Sequence, residues 1–254
     1  MSPQLHGKRA LVTGGGSGIG EAAARSLAAQ GVTVVIADID ETEARRVAND
    51  IGGEVWSVDL LERQAVSDAA LAKVVPGIDI LVNNAGIQRV AAIHDFDPDA
   101  FRSIITLMLE VPFLLIRAVL PSMYERGWGR IINVSSVHGR RASAFKSAYV
   151  SAKHGLEGLS KVTALEGAQF GVTSNCVSPG YVRTPLVEKQ MADQAALHGI
   201  DQAEVLSKIM LTESAIKRLV EPSEVAELIT WLASPGAAMV TGASYTMDGG
   251  WSAR

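Results

Sequence analysis

Tyr149 and Lys153 stand four residues apart, and Ser136 lies thirteen residues before the tyrosine at the end of an apolar run. On a helix, positions i and i+4 share a face, so the lysine ammonium can lie beside the phenol. A free phenol titrates near pH 10 and is no base at neutral pH. Lowering that value by about three units needs roughly 4 kcal/mol of preference for the phenolate. An adjacent ammonium in a dry cleft supplies part of it, and a second fixed positive charge could supply the rest. Ser136 could then hold a substrate oxygen while Tyr149 takes its proton. Taken alone, the pair also fits an amphipathic helix with a snorkelling lysine.

A second cluster of unusual residues, Thr13-Gly-Gly-Gly-Ser-Gly-Ile-Gly20, follows the first apolar run and opens a helical pattern. Backbone N–H groups and the helix dipole can receive a pyrophosphate at such a junction. The spacing is not G-x-G-x-x-G, because position 19 is Ile, and no Lys follows Gly20 as a phosphate-binding P-loop would require. What remains is G-x-x-x-G-x-G, from Gly14, Gly18 and Gly20, which by itself also fits a tight strand-to-helix turn. Asp38 adds to it. It ends the second expected strand, eighteen residues beyond Gly20, where an acid accepts hydrogen bonds from the ribose hydroxyls of a dinucleotide. A carboxylate there repels a 2′-phosphate, and Ile39, Asp40 and Glu41 bring no cation to offset it. NAD is therefore expected over NADP. Asp40, directly before Glu41, suits the cap of the next helix better than Asp38 does.

Around these residues, β-branched runs at 10–13, 32–38, 54–58, 78–82, 130–135, 172–177 and 244–247 alternate with helical patterns such as 18–30, 41–51, 63–74 and 222–233. That rhythm predicts an α/β fold: a single doubly wound Rossmann-type domain over 1–254. Its mostly parallel sheet of about seven strands would carry helices on both faces. The stretch 184–212 breaks the rhythm after Pro179-Gly180 and Pro185 and is expected to be a small helical lid over a cleft, or else a surface excursion. The chain of 254 residues is 48% hydrophobic and 20% charged with a net charge of −4, an ordinary balance with no clustering of Lys and Arg to follow a phosphate backbone. Nucleic acid is therefore not an expected partner. Cys176 stands alone, which excludes an internal disulfide and by itself makes no zinc site; it lies in an apolar strand and reads as a core thiol, and no metal is expected. No signal-like segment opens the chain and no uninterrupted apolar stretch reaches the roughly 20 residues of a bilayer span. A cytoplasmic location without membrane contact is the expectation.

Read in order, TGGGSGIG (13–20), Asp38, Asp59, Asn83-Asn-Ala-Gly86, Ser136, Tyr149-x-x-x-Lys153, Pro179-Gly180 and Asp248-Gly-Gly250 resemble the short-chain dehydrogenase/reductase family along essentially the whole chain. The resemblance implies hydride transfer to a nicotinamide dinucleotide, with Ser136, Tyr149 and Lys153 catalytic, and usually a homotetramer. It implies a cofactor held by Gly14, Ser17, Gly18, Ile19 and Gly20, by Asp38, by Asp59 and Leu60 at the adenine, and by Asn84, Ala85 and Gly86. Tyr149, Lys153, Pro179, Gly180, the backbone of Val182 and the hydroxyl of Thr184 would complete its site. One position departs from the pattern. In such enzymes an Asn usually precedes Ser136 in the chain and carries a water linking the lysine to solvent; Met108 stands there, and a thioether cannot relay a proton.

Within the family, the pieces Asn83–Gln88, Ser135–His138, Phe145–Tyr149, 179–190 and Gly249-Gly-Trp251 resemble the D-3-hydroxybutyrate dehydrogenase branch. That branch implies a small-molecule hydroxy-acid substrate whose carboxylate is clamped by Gln88, His138, Lys146 and Gln190, beside Ser136 and Tyr149. Tyr181, where this branch often has Trp, would wall the pocket. Lys146 gives an independent reason: it lies near a helix N-terminus, where the dipole disfavours a cation and an anionic partner helps.

Overall fold

The structure, a computed structural model, describes residues 5–185, 187–188, 191, 195 and 199–253. Seven strands form one sheet in the order β3-β2-β1-β4-β5-β6-β7, and every neighbouring pair is parallel. They are β1 (Arg9–Thr13), β2 (Thr33–Asp38), β3 (Glu54–Ser57), β4 (Ile80–Asn83), β5 (Gly129–Val134), β6 (Val172–Pro179) and β7 (Ser244–Met247). The central strands are apolar on both sides because both faces are covered. Ala10 and Val12 face a cluster shared with α1 (Gly18–Ala29), α2 (Glu41–Ile51) and α7 (Pro222–Ala233). Leu11 faces the other, shared with α3 (Asp68–Val74), α4 (Pro98–Ile105), α5 (Val111–Arg126) and α6 (Ser147–Gly167).

The strand order reverses between β1 and β4, so the loops after these strands part and leave a crevice at their carboxyl ends. The helix capping is local chemistry. Asp40 caps α2 by accepting from the N–H groups of Thr42 and Glu43, as its position in the sequence suggests. Helix α3 starts five residues later than the apolar pattern at 63–74 indicates; residues 62–67 are turns closed by Ala65 N–H to Glu62 O and Ser67 N–H to Gln64 O.

Helices α4 and α5 are joined without a break by a π-helical turn, Thr106–Glu110, that carries Met108. Together they run Pro98–Arg126, which by length and composition alone could cross a bilayer. Here Ile104, Met108, Val111, Leu115, Val119 and Met123 are packed against the sheet, which makes it a core helix. Between β6 and α7, Val187, Val205, Met210, Leu211 and Leu219 form a third, small apolar cluster with Tyr181 against it.

Candidate active site

The first βα loop is held from two sides. The hydroxyl of Thr13 accepts the N–H groups of Asn84 (2.9 Å) and Ala85 (3.1 Å), and the Asn84 amide donates to Thr13 O (3.0 Å) and Gly14 O (3.1 Å). Asn84 lines the cleft but spends its amide on stapling the glycine loop to the end of β4, and Thr13 is a support whose role its place in the motif does not reveal. Gly14 and Gly18 have φ of +63° and +55°, conformations that a side chain disfavours. A Cβ on Gly18 would also stand 3.1 Å from Thr184 Cγ2. Gly20 serves packing instead. It does not line the cleft, and a Cβ there would fall 2.0 Å from Gly14 O, so its bareness lets α1 pack on the loop.

Asp38 Oδ2 accepts the Gly16 N–H at 2.8 Å, which fixes the carboxylate at the rim of the loop. The nearby guanidinium of Arg46 is occupied by Glu21 and Glu43 and by Gly16 O. Asp59 makes a turn, accepting the Leu61 N–H, while Leu60 is buried beside it. Ser17 stands at the N-cap of α1 with its hydroxyl making no capping bond. Across the crevice, Gly180 donates to Met247 O, and Asp248 braces the chain end by accepting from Gly250 and Ser252. A Cβ on Gly180 would meet Asp248 Cα at 3.1 Å, so the closing loop and the Pro179-Gly180 turn define each other. The Thr184 hydroxyl accepts the Val187 N–H at 3.4 Å and faces Val182 O.

Gly14, Ser17, Gly18, Asp38, Asp59, Leu60, Asn84, Gly180, Val182, Thr184 and Asp248 line one cleft of about 570 Å³, together with Ser136, His138, Lys146, Tyr149, Lys153 and Trp251. Ser136 caps the 3-10 turn Val137–Gly139 after β5, accepting the His138 N–H at 3.2 Å. Tyr149 and Lys153 lie on one face of α6, with the ammonium 5.7 Å from the phenol ring centre. Lys153 is 4% exposed and donates to Val134 O at 2.6 Å.

The electrostatics differ from what the Tyr149-x-x-x-Lys153 spacing suggests. Burial pushes the Tyr149 phenol up, the hydrogen bond from Ser136 pulls it down, and Tyr181 adds a smaller upward push. Burial also lowers Lys153 to about 8, against small upward pushes from Cys176 and Glu157. The ammonium is thus spent on a carbonyl, and protein residues alone leave the phenol weakly acidic. Cys176 is fully buried, and its thiol is pushed well up, chiefly by burial.

On the substrate side, Gln88 is half-buried at the cleft wall and Tyr181 faces it from the turn after β6. Lys146 is the residue before α6. It follows Phe145, whose φ of +68° is the single positive value among the described non-glycine residues. Its ammonium lies 5.4 Å from the Tyr181 ring centre, burial lowers its pKa, and among the described residues no carboxylate pairs with it. His138 is 6% exposed, with Nε2 2.9 Å from Ser143 Oγ and Nδ1 3.4 Å from Ser136 Oγ. Trp251 stands 5.7 Å from the His138 ring and closes the wall from the chain end. Gln190 lies outside the described residues.

The profile of a family described as enoyl-(acyl carrier protein) reductase matches residues 14–252. D-beta-hydroxybutyrate dehydrogenases of Rhizobium meliloti and Cupriavidus necator are each 44% identical, over 97% and 98% of this chain and 99% and 100% of theirs. A solved short-chain dehydrogenase/reductase family protein superposes with a TM-score of 0.87 at 36% identity, covering 99% of this chain and 100% of its own. The chain belongs to the short-chain dehydrogenase/reductase family.

It is accordingly an oxidoreductase that uses a nicotinamide dinucleotide. The residues fit that cofactor. The cleft has the size of a dinucleotide site, glycines without side chains open α1, and a carboxylate ends β2. A second neighbour, a putative 2-deoxy-D-gluconate 3-dehydrogenase from Agrobacterium tumefaciens with bound NADP, superposes with a TM-score of 0.87 at 31% identity, covering 100% of this chain and 99% of its own. Met108 is buried in the π-helical turn. Its thioether lies near Gly86, where a Cβ would stand 3.4 Å from Met108 Cε.

Proposed function

We propose that this enzyme oxidises D-3-hydroxybutyrate to acetoacetate, reversibly, with NAD and with Tyr149 as general base. The observation that carries the substrate is Lys146: a half-buried ammonium with no carboxylate partner among the described residues, facing the same cleft as Tyr149 and Ser136. A partly desolvated cation gains from pairing, so this one selects an anionic group on the substrate. The names of the two relatives at 44% identity point to the same acid.

A bound oxidised nicotinamide dinucleotide supplies the two-electron acceptor and a positive ring. Ser136 holds the carbinol oxygen, and Tyr149 takes its proton. Lys153, near the phenol, adds positive charge that favours the phenolate, while its bond to Val134 O fixes it in place. Lys146 pairs with the carboxylate, with Gln88 beside it and Gln190 assigned to the same clamp. Tyr181 and Trp251 wall off the rest. Asp38 supports NAD over NADP, since it is fixed at the loop and Arg46 is already neutralised by two carboxylates. The segment 184–212 acts as the lid, and the chain assembles as a homotetramer. Phe113 on α5 and Val162 and Leu165 on α6 are large apolar side chains left in solvent on one side of the sheet, which supports the assembly.

Protein mixed with D-3-hydroxybutyrate at mildly alkaline pH is expected to generate reduced-cofactor absorbance with NAD, and at least tenfold less with NADP. Absorbance with uncharged secondary alcohols but none with the acid would assign the enzyme to another small alcohol or ketone.

A further inference from the structure

Two lysines line the cleft, and they are held differently. Lys153 donates to Val134 O at 2.6 Å. Lys146 makes no ion pair among the described residues; beside it stands an aromatic ring, with Nζ over the Tyr181 face 5.4 Å from its centre. That is within the roughly 6 Å over which a ring face attracts a cation. Both side chains are half-buried and start from fixed backbone. Tyr181 O accepts the Val220 N–H at 2.9 Å, Val182 pairs with Val220, and the Tyr181 ring packs against Val187, Val205, Met210, Leu211 and Leu219. On the other side, Phe145 O accepts the Ala91 N–H at 3.0 Å and Lys146 O accepts the Val150 N–H at 2.9 Å.

We propose that Tyr181 is a positioning residue for Lys146: its ring face holds the ammonium in place at the cleft and directs a substrate carboxylate to the ammonium's open side. The face of an aromatic ring is negative, so it attracts the ammonium and repels a carboxylate. It offsets part of the hydration that Lys146 loses in the cleft, yet it leaves the positive charge unneutralised. Because the ring occupies one side of the ammonium, an anion can pair only from another, and the ring thereby sets the direction in which the acid lies. His138, lowered to about 4 chiefly by burial and next by the Lys146 charge, is neutral at neutral pH and brings no second cation to compete for the anion. The ring contact stands by itself; its kinetic consequence rests on the proposed hydroxy-acid substrate.

The test compares Tyr181→Leu, which keeps apolar bulk and removes the ring face, with Tyr181→Phe, which keeps the face. The first measurement needs no substrate. In protein carrying carbon-13 at the lysine ε-carbons, the NMR signal of Lys146, identified by its loss in Lys146→Met, should be shifted upfield by the ring in wild type and in Tyr181→Phe. In Tyr181→Leu it should return to the position of exposed lysines. A wild-type signal already at that position, or one that Tyr181→Leu does not move, overturns the ring contact whatever the substrate proves to be. The second measurement is kcat/KM on D-3-hydroxybutyrate and on its uncharged amide. A cation–ring contact of this exposure is worth about 3- to 10-fold, so Tyr181→Leu should lower the acid-to-amide ratio by that factor, through KM, and Tyr181→Phe should change it less than about twofold. In the Lys146→Met background, Tyr181→Leu should leave the ratio unchanged. Equal losses on acid and amide would make Tyr181 a wall alone and overturn the positioning role. If neither compound is turned over, the substrate assignment fails, and the lysine signal still decides the ring contact.

Discussion

Tyr149, Ser136 and Lys153 show how much a single residue's surroundings decide. Tyr149→Phe keeps the ring and removes the proton acceptor. It is expected to lower kcat by about 1,000-fold or more while the dinucleotide still binds, measured by turnover and by cofactor titration; a rate within tenfold of wild type would remove the phenol from the chemistry. Lys153 leads to a prediction about stability. Its folded pKa of about 8 lies below the ordinary lysine value of 10.5 because of burial. Between pH 8 and 10.5 the unfolded chain therefore holds a proton that the folded chain lacks, and this group's contribution to stability rises with pH across that window. Below pH 8 the buried charge costs up to about 3 kcal/mol. Lys153→Met should lose activity yet resist urea as well as or better than wild type at pH 7, with the advantage shrinking above pH 8. A clear loss of stability at pH 7 would mean that the bond to Val134 O outweighs burial.

At the scale of elements, Gly20 separates packing from binding. Ala there would press its Cβ onto Gly14 O, 2.0 Å away, so α1 cannot keep its place on the loop. Gly20→Ala should cost about 2 kcal/mol or more, and urea unfolding checks it; a stability equal to wild type would mean that the loop yields easily. The strands were legible because doubly buried β-branched runs are a local signal, and observed and expected limits differ by one or two residues for most of them. The glycine loop, Asp38 and the Tyr149–Lys153 spacing were legible for the same reason, each being a short pattern with one geometry. Other features depend on distant parts of the chain. The late start of α3, the π-helical turn at Met108 and the positive φ of Phe145 follow from packing against other elements. Asn84 reads as a cofactor contact, yet its amide is claimed by Thr13 O and Gly14 O, 70 residues away. The raised phenol pKa has the same origin: it comes chiefly from burial, which the Tyr149-to-Lys153 spacing does not reveal.

Across the whole molecule, the sheet order puts the parting of β1 and β4 at one end, and the glycine loop, the Ser136–Tyr149–Lys153 set and Lys146 gather there from loops and from helix α6, spread between Gly14 and Trp251. On the outside, α5 and α6 leave apolar surface uncovered. Leu165 is 81% exposed and Phe113 and Val162 about half, more apolar surface than a solitary molecule needs there. Sedimentation of the wild type is expected to show a tetramer, and Leu165→Glu a smaller species; a monomeric wild type would contradict the proposed assembly. The chemistry itself is tested most directly by comparing wild type with Lys146→Met on D-3-hydroxybutyrate and on its uncharged amide, as kcat/KM with NAD. Loss of a half-buried charge partner should cost the variant about 30-fold or more on the acid and less than about threefold on the amide. Equal losses on both, or none on the acid, would contradict the claim that this cleft is built around an anionic hydroxy acid.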